Sequence, residues 1–292
     1  MKIAFFGTPE FAVPSLLAVL GSRHEVVCVV AQPDKPSGRG GGSVVVGAVK
    51  RCAMERGVAV LQPEKISKEV EILGAYKPNI IVTCAFGQIL KQNVLDYPKH
   101  GVINVHASLL PKYRGSSPIQ WAIINGETKT GVTIMQTDIG LDTGDIILMR
   151  ELGIGKCETA GELFPRLAEL GARALIEALD IIENGTAVRT PQNHDDATKF
   201  PMLNKDMAQL DFNKTAVELV NFVRGLNPWP VAWVGFGGET LRVFRASAME
   251  NGYTNARELL FPCADGVLRV DELQPPNKKR MTARDYLNGR RA

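Results

Sequence analysis

The 292-residue sequence has few cysteines and histidines and no long hydrophobic run. Its five cysteines are odd in number and never occur in C-x-x-C spacing, which argues against a disulfide framework and against a zinc site. No apolar run reaches the roughly 18 residues that span a bilayer, and the apolar start is too short for a signal peptide. We therefore expect a cytoplasmic protein that binds neither a metal nor a membrane.

The glycine motifs of nucleotide-binding loops are also missing. The first strand-like run ends in Gly7-Thr8-Pro9-Glu10, which has one glycine where a dinucleotide-binding turn needs G-x-G-x-x-G. The sequence contains no G-K-[ST], so it has no P-loop. The turn after the first strand is most simply a structural connection to a helix.

Charge is distributed unevenly along the chain. Residues 1–206 hold 22 basic and 22 acidic side chains, whereas residues 207–292 hold 12 basic and 9 acidic ones. The last 19 residues contain six basic side chains and one acidic one. A basic tail on a neutral body favours a polyanionic partner, and a solvated basic helix end is the alternative.

The first two thirds of the chain alternate between strand-like and helical patterns. Apolar runs predict strands over residues 2–7, 25–31, 58–61, 80–85 and 101–106, and apolar spacing predicts helices over 11–20, 49–56, 69–76 and 159–184. Continuous apolar strands separated by helices are typical of a mostly parallel sheet covered on both faces. We expect an α/β fold here.

The last third has a different pattern. A polar segment without periodicity precedes a predicted helix over residues 215–225 and short alternating runs over 232–236, 241–246 and 266–273. This pattern predicts a small β-barrel or sandwich. We expect a first domain over 1–189, a linker over 190–206 and a barrel domain over 207–292.

One stretch, residues 101–145, carries the candidate chemistry. Asn104 and His106 lie two residues apart near the end of a predicted strand, so their side chains share one face. Asp142, in a glycine-flanked turn, is the carboxylate that would complete a polar trio. Asn and His can donate to a developing oxyanion, and His can move a proton. The alternatives are polar core residues for the first two and a turn former for Asp142.

This stretch, together with segments elsewhere in the chain, closely resembles the methionyl-tRNA formyltransferases. The resemblance is carried by NVHASLLPKYRGSSPIQWAI, GVTIMQTDIGLDTGDI, GTPEFAVPSL, QPDKPSGRG, RGLNPWPVAW and ELQPPNKKRMTARDYLNG, which together lie along nearly the whole chain. The SLLP and LDTG motifs are shared with other enzymes that use 10-formyltetrahydrofolate. The resemblance implies a Rossmann-type formyltransferase domain, a linker and a barrel similar to the OB-fold.

The resemblance also implies roles for individual residues. It makes Asn104, His106 and Asp142 a catalytic trio and assigns folate binding to the turn formed by Ser108, Leu109, Leu110 and Pro111. It assigns contact with tRNA to Arg39, in a glycine-rich loop, and to the basic residues Lys278, Lys279 and Arg280. After Arg39 the family usually has two lysines and a proline-containing run, whereas this chain reads GGSVVVG over residues 41–47.

We therefore expect a monomer that transfers the formyl group of 10-formyltetrahydrofolate to the α-amine of initiator methionyl-tRNA. One rival is a folate-dependent formyltransferase that acts on an amino sugar or a small metabolite, which would need no basic tail. The other is an RNA-binding protein with a decayed catalytic fold, which would have no use for the trio.

Overall fold

The chain forms two compact units in a computed structural model that describes residues 1–37 and 43–291. The first unit comprises residues 1–115, 131–152 and 164–199. The second unit comprises residues 116–130, 153–163 and those from 200 onward. Arg39 and Gly41 lie outside the described residues.

The strands of the described residues are numbered in chain order. They are β1 (Lys2–Gly7), β2 (Glu25–Val30), β3 (Lys35–Ser37), β4 (Ser43–Val45), β5 (Val60–Leu61), β6 (Ile80–Cys84), β7 (Val102–His106), β8 (Arg114–Gly115), β9 (Lys129–Gln136), β10 (Ile146–Gly153), β11 (Lys199–Phe200), β12 (Ala232–Phe236), β13 (Glu239–Met249), β14 (Leu259–Pro262), β15 (Val267–Gln274) and β16 (Met281–Thr282).

The α-helices are numbered in the same way. They are α1 (Val13–Leu20), α2 (Ala48–Met54), α3 (Gln92–Leu95), α4 (Pro118–Ile124), α5 (Ala160–Glu183), α6 (Ala216–Gly225) and α7 (Ala283–Arg291). Among the described residues, no helix combines the length and the apolar character needed to cross a membrane.

A seven-stranded sheet forms the centre of the first unit, with the order β10-β9-β7-β6-β1-β2-β5. The pairs of β1 with β2 and β6, of β2 with β5 and of β6 with β7 are parallel, whereas β7 pairs with β9 in antiparallel fashion. Strand order reverses at β1, as in doubly wound folds, where sites lie at the carboxyl ends of the strands. The predicted mostly parallel sheet is confirmed.

Burial explains why the inner strands are apolar runs. All five residues of β6 are buried, and so are five of the six residues of β1, because neighbours cover both faces of the sheet. Cys28 in β2 and Cys84 in β6 are buried free thiols, and burial raises the pKa of each to about 12. These thiols stay protonated near neutral pH, as expected of structural cysteines.

Two of the predicted helices show how local sequence signals compare with the structure. The predicted helix over 159–184 is α5, which ends before Gly185, whose φ of 70° allows the left-handed turn after the helix. The predicted helix over 69–76 was wrong, since only a 3₁₀ turn forms at Val70–Leu73. Too few residues remain before Pro78 and β6 to make up the cost of nucleating an α-helix.

The second unit contains an antiparallel sheet with the order β12-β13-β15-β14. The short strand β16 also pairs with β15, beyond the end of β14. A register shift in β13 between Val243 and Ala246 bends the sheet around its core. Helix α6 begins with a capping box between Thr215 and Glu218. The backbone N–H and the hydroxyl of Thr215 both donate hydrogen bonds to the Glu218 carboxylate, and these bonds lower the pKa of Glu218.

The segment expected to be a linker, residues 190–206, is partly packed into the first unit. Thr190 exchanges two backbone hydrogen bonds with Ile146, and Gln192 is buried. The chain passes from the first unit to the second for the last time between residues 199 and 200, inside the predicted segment.

Candidate active site

His106 is the last residue of β7 and its side chain is buried. Its Nε2 atom lies 3.0 Å from the backbone oxygen of Tyr113. A carbonyl oxygen only accepts hydrogen bonds, so this contact requires a proton on Nε2. In the neutral ring Nδ1 is then the unprotonated nitrogen, free to take up a proton.

Asp142 faces this ring. Its Oδ2 atom lies 3.7 Å from Nδ1 of His106 and accepts a 2.8 Å hydrogen bond from the backbone N–H of Gly115. Asp142 has a φ of 52°, in the left-handed region that Asp tolerates in turns. Asp142 therefore has the backbone geometry of a turn former and also lies close enough to His106 to be its partner, as the two interpretations of the sequence required.

Asn104 is half-buried on the same strand, two residues before His106. The buried hydroxyl of Thr83 donates a 2.8 Å hydrogen bond to Oδ1 of Asn104, which directs the amide nitrogen away from Thr83. No hydrogen bond to this nitrogen is present among residues 1–37 and 43–291. The side chain thus offers two donor hydrogens held by a neighbouring strand.

The predicted folate-binding turn is held by its own hydrogen bonds. The Ser108 side chain is buried and donates a 2.8 Å hydrogen bond to the carbonyl oxygen of Lys112. Thr133 donates to the backbone oxygen of Ser108 and accepts from the backbone N–H of Leu110. A cis peptide bond precedes Pro111. These contacts give the turn a defined shape next to His106.

The predicted tRNA-binding residues differ in whether their side chains are already paired within the protein. Lys278 and Lys279 are exposed, and within the described chain neither side chain has an ion pair. Arg280 donates to Glu272 at 2.6 Å, and its guanidinium lies 4.3 Å from the centre of the Phe244 ring. Arg39 lies outside the described residues.

Among the described His, Cys, Asp and Glu side chains, those of His24, Asp180 and Glu183 lie close enough together to share a metal ion. Arg23 already forms ion pairs with both carboxylates, at 2.8 Å and 3.0 Å. The group contains no member of the Asn104, His106 and Asp142 trio.

Sequence reasoning missed the groups that hold the trio in place. Two of them are backbone atoms, the oxygen of Tyr113 and the N–H of Gly115, and backbone groups have no signature in a sequence. The others are the buried side chains of Thr83, which holds Asn104, and of Arg114 and Gln192. Nothing in the sequence indicated that Gln192 is buried, because it lies in a polar segment without periodicity.

Replacement of Gly144 by alanine should displace the turn that carries Asp142. A Cβ atom at this position would overlap the carbonyl oxygen of Gln136, which is backbone and cannot move aside cheaply. We expect the free energy of unfolding to fall by about 1–3 kcal/mol, the usual cost of overpacking. Urea unfolding measures this, and Gly153→Ala is the control because a Cβ there meets no atom within 4 Å. Equal stability of the two variants would contradict the prediction.

Comparison with known proteins adds the following similarities. Residues 1–179 match the formyl transferase family, and residues 202–291 match the formyl transferase C-terminal domain. A methionyl-tRNA formyltransferase of Alkaliphilus oremlandii is 45% identical over an alignment of 303 positions, which covers 99% of this chain and 96% of the relative. One from Clostridioides difficile is 44% identical over an alignment of 300 positions, which covers 99% of this chain and 97% of that relative.

Two solved structures share the fold at lower identity. An N-formyltransferase from Helicobacter canadensis, crystallised with folinic acid and dTDP-3-aminofucose, aligns with a TM-score of 0.72 and 22% identity over 94% of this chain and 99% of its own. A methionyl-tRNA formyltransferase from Clostridium thermocellum aligns with a TM-score of 0.58 and 17% identity over 94% and 98%.

Proposed function

The chain belongs to the methionyl-tRNA formyltransferase family, and from this we propose that it formylates the α-amine of initiator methionyl-tRNA with Asn104, His106 and Asp142 as catalytic residues. The formyl donor is 10-formyltetrahydrofolate. The observation that carries the residue roles is the approach of Asp142 Oδ2 to within 3.7 Å of His106 Nδ1, beside the Asn104 amide on the same strand.

His106 would handle the proton of the reaction. The Tyr113 carbonyl keeps the ring proton on Nε2, so Nδ1 can accept the proton that the attacking amine loses. The resulting imidazolium lies between the carboxylate of Asp142 and the Tyr113 carbonyl, which both stabilise its positive charge. From Nδ1 the proton then passes to the folate nitrogen as its bond to the formyl carbon breaks.

Asn104 would stabilise the negative charge that develops on the formyl oxygen. Its amide nitrogen is oriented by Thr83 and keeps its hydrogens for such an acceptor. Once protonated, His106 can donate to the same oxygen through Nδ1. The products are formyl-methionyl-tRNA and tetrahydrofolate.

The loops next to the trio fit a folate co-substrate. Exposed apolar side chains stand on the loop after β6 and on the loop between β9 and β10, namely Ile89 (86% exposed), Ile139 (67%) and Leu141 (60%). Apolar groups left in water are suited to cover a planar ring. We propose that these side chains, together with the turn of Ser108 to Pro111, hold the formyl donor.

We further propose that residues 1–189 carry out formyl transfer and residues 207–292 bind tRNA. Lys278 and Lys279, and Arg280 after exchange of Glu272 for a phosphate, would contact the RNA backbone, and Arg39 would contact the acceptor end. We propose a monomer in the cytoplasm, where aminoacylated tRNA is used. A single symmetrical peak at the mass of one chain in size-exclusion light scattering would support the monomer.

Removal of Lys278 and Lys279 should weaken tRNA binding in a salt-dependent way. The double alanine variant should raise the KM for tRNA and reduce the slope of log K against log salt by about 2, because two phosphate contacts are lost. Lys65→Ala with Lys68→Ala is the matched control, since it removes equal charge from exposed positions of the first unit. If the KM for tRNA and the salt slope stayed unchanged, Lys278 and Lys279 would be solvated side chains that do not contact tRNA.

Transfer of labelled formyl from 10-formyltetrahydrofolate to initiator methionyl-tRNA tests the proposal directly. Elongator methionyl-tRNA and an amino sugar nucleotide serve as alternative acceptors. We expect rapid transfer to the initiator tRNA alone. Transfer to the amino sugar without transfer to tRNA would show that the acceptor is an amino sugar and not tRNA. Absence of folate binding would contradict the proposed formyltransferase activity as a whole.

A further inference from the structure

The short strand β8 and the residue before it contact both members of the proposed proton pair. The carbonyl of Tyr113, just before Arg114, contacts His106, and the N–H of Gly115, just after it, donates to Asp142. The backbone of Arg114 is itself fixed, because its N–H donates to the carbonyl of Thr198 at 2.9 Å. A shift of Arg114 would therefore move both contacts at once.

The side chain of Arg114 is buried, with 3% of the residue exposed, and its described hydrogen-bond partners are an amide oxygen and an imidazole nitrogen. Its Nε and Nη2 atoms both donate to Oε1 of Gln192, at 3.1 Å and 2.6 Å, and Nη2 also lies 3.1 Å from Nδ1 of His194. Burying a guanidinium away from a carboxylate is costly, which indicates that this contact has a use beyond stability.

Gln192 connects Arg114 to the turn that carries Asp142. Its Nε2 atom donates to the backbone oxygens of Asp142, at 3.0 Å, and Gly144, at 2.7 Å. Arg114 can only donate, so it holds the oxygen end of the Gln192 amide towards itself and the nitrogen end towards the turn. A flipped amide would place its oxygen against two carbonyl oxygens, and the turn would lose both bonds.

We infer that Arg114 and Gln192 are positioning residues that set the separation of Asp142 and His106 for proton transfer. This inference rests on the proposed catalytic roles of His106 and Asp142. Arg114 acts from both directions, through the backbone of its neighbours and through Gln192. Neither side chain is placed in contact with the substrates, so both should affect kcat far more than KM.

Gln192→Glu is the sharpest variant because it keeps the shape and the acceptor for Arg114 but removes both donors to the turn. We expect kcat to fall by about 10–100-fold, the scale of a misplacement near 1 Å, while the KM of each substrate changes by less than about 3-fold. Gln92→Glu is the matched control, since its amide is exposed and bonds Asp96 within one turn. A kcat within about 2-fold of the unmodified protein would overturn the inference.

Arg114→Lys provides a second, milder variant in case Gln192→Glu does not fold. Lysine keeps the charge but replaces the fork of two bonds to Gln192 with one contact. We expect a partial loss of kcat, by about 3–10-fold. An unchanged kcat in a folded Arg114→Lys protein would count against the inference in the same way.

A double-mutant cycle separates positioning from general damage. In an Asp142→Asn background, Gln192→Glu should add less than about 3-fold, because its effect acts through a carboxylate that is already gone. Full additivity would show that Gln192 acts elsewhere. If His106→Gln and Asp142→Asn were themselves near full activity, the proposed catalytic roles of these two residues would fail first, and the inference with them, although the formyl-transfer activity would stand.

The ring of His106 gives a readout independent of turnover. The sequence has only four histidines, so the ring nitrogen NMR signals can be assigned by loss of the His106 pair in His106→Gln. We expect Gln192→Glu and Arg114→Lys to move the His106 tautomer signals, and Gln92→Glu to leave them unchanged. Unmoved signals in folded variants would exclude a positioning role.

Discussion

Asp142→Asn should lower kcat by about 10²–10⁴-fold, the range associated with loss of positioned acid–base catalysis. The asparagine side chain has nearly the same shape, and its oxygen can still accept the hydrogen bond from the Gly115 N–H. What disappears is the negative charge that stabilises a protonated His106 from 3.7 Å away. Single-turnover formyl transfer to initiator methionyl-tRNA measures the chemical step.

This variant also separates the two interpretations of Asp142. Asparagine tolerates the left-handed φ of 52° as well as aspartate does, so the turn itself should survive. Asp96→Asn, an exposed carboxylate of the same unit, is the control and should keep full activity. If Asp142→Asn also kept full activity, Asp142 would be a turn former only.

Asn104→Asp should have an effect of similar size, about 10²–10³-fold on kcat, because it removes a donor from the developing oxyanion. The Thr83 hydroxyl can still donate to one carboxylate oxygen, so the side chain should keep its orientation. The other oxygen then presents negative charge where a donor stood. The KM of the tRNA should change little, since the loss is confined to the transition state.

Asn93→Asp is the matched control for this prediction. Its side chain is exposed and donates to the backbone of Ser67, away from the trio in sequence and in hydrogen bonding. Comparable kcat values for Asn104→Asp and Asn93→Asp would remove Asn104 from the catalytic residues and leave it as a strand residue that satisfies Thr83.

The predicted elements of the first unit agree with the structure where burial dominates. The strands predicted over 2–7, 25–31, 80–85 and 101–106 are β1, β2, β6 and β7, each shifted by at most one residue at an end. The short helix predicted over 69–76 is instead a 3₁₀ turn at Val70–Leu73. Tertiary contacts decide such short segments because local propensity supplies little free energy.

Other elements were not predicted. Helix α4 is a largely apolar segment of seven residues, and α7 lies within the basic tail, for which a solvated helix end is only the alternative interpretation of the sequence. Strands β9 and β10 lie within and directly after residues 101–145, where the motifs of the candidate site dominate the sequence. The segment read as a linker contains Gln192, whose burial depends on Arg114, 78 residues earlier in the chain.

The sequence by itself determined the alternating apolar strands of the first unit, the α/β class and the identity of the three candidate catalytic residues. These follow from short-range patterns: period, apolar runs and motif spacing. Only the tertiary structure decided that Asp142 faces Nδ1 of His106 and that backbone groups on either side of Arg114 hold the pair. Hydrogen bonds between segments distant in the chain carry that arrangement, and each needs its partners brought together by folding before it exists.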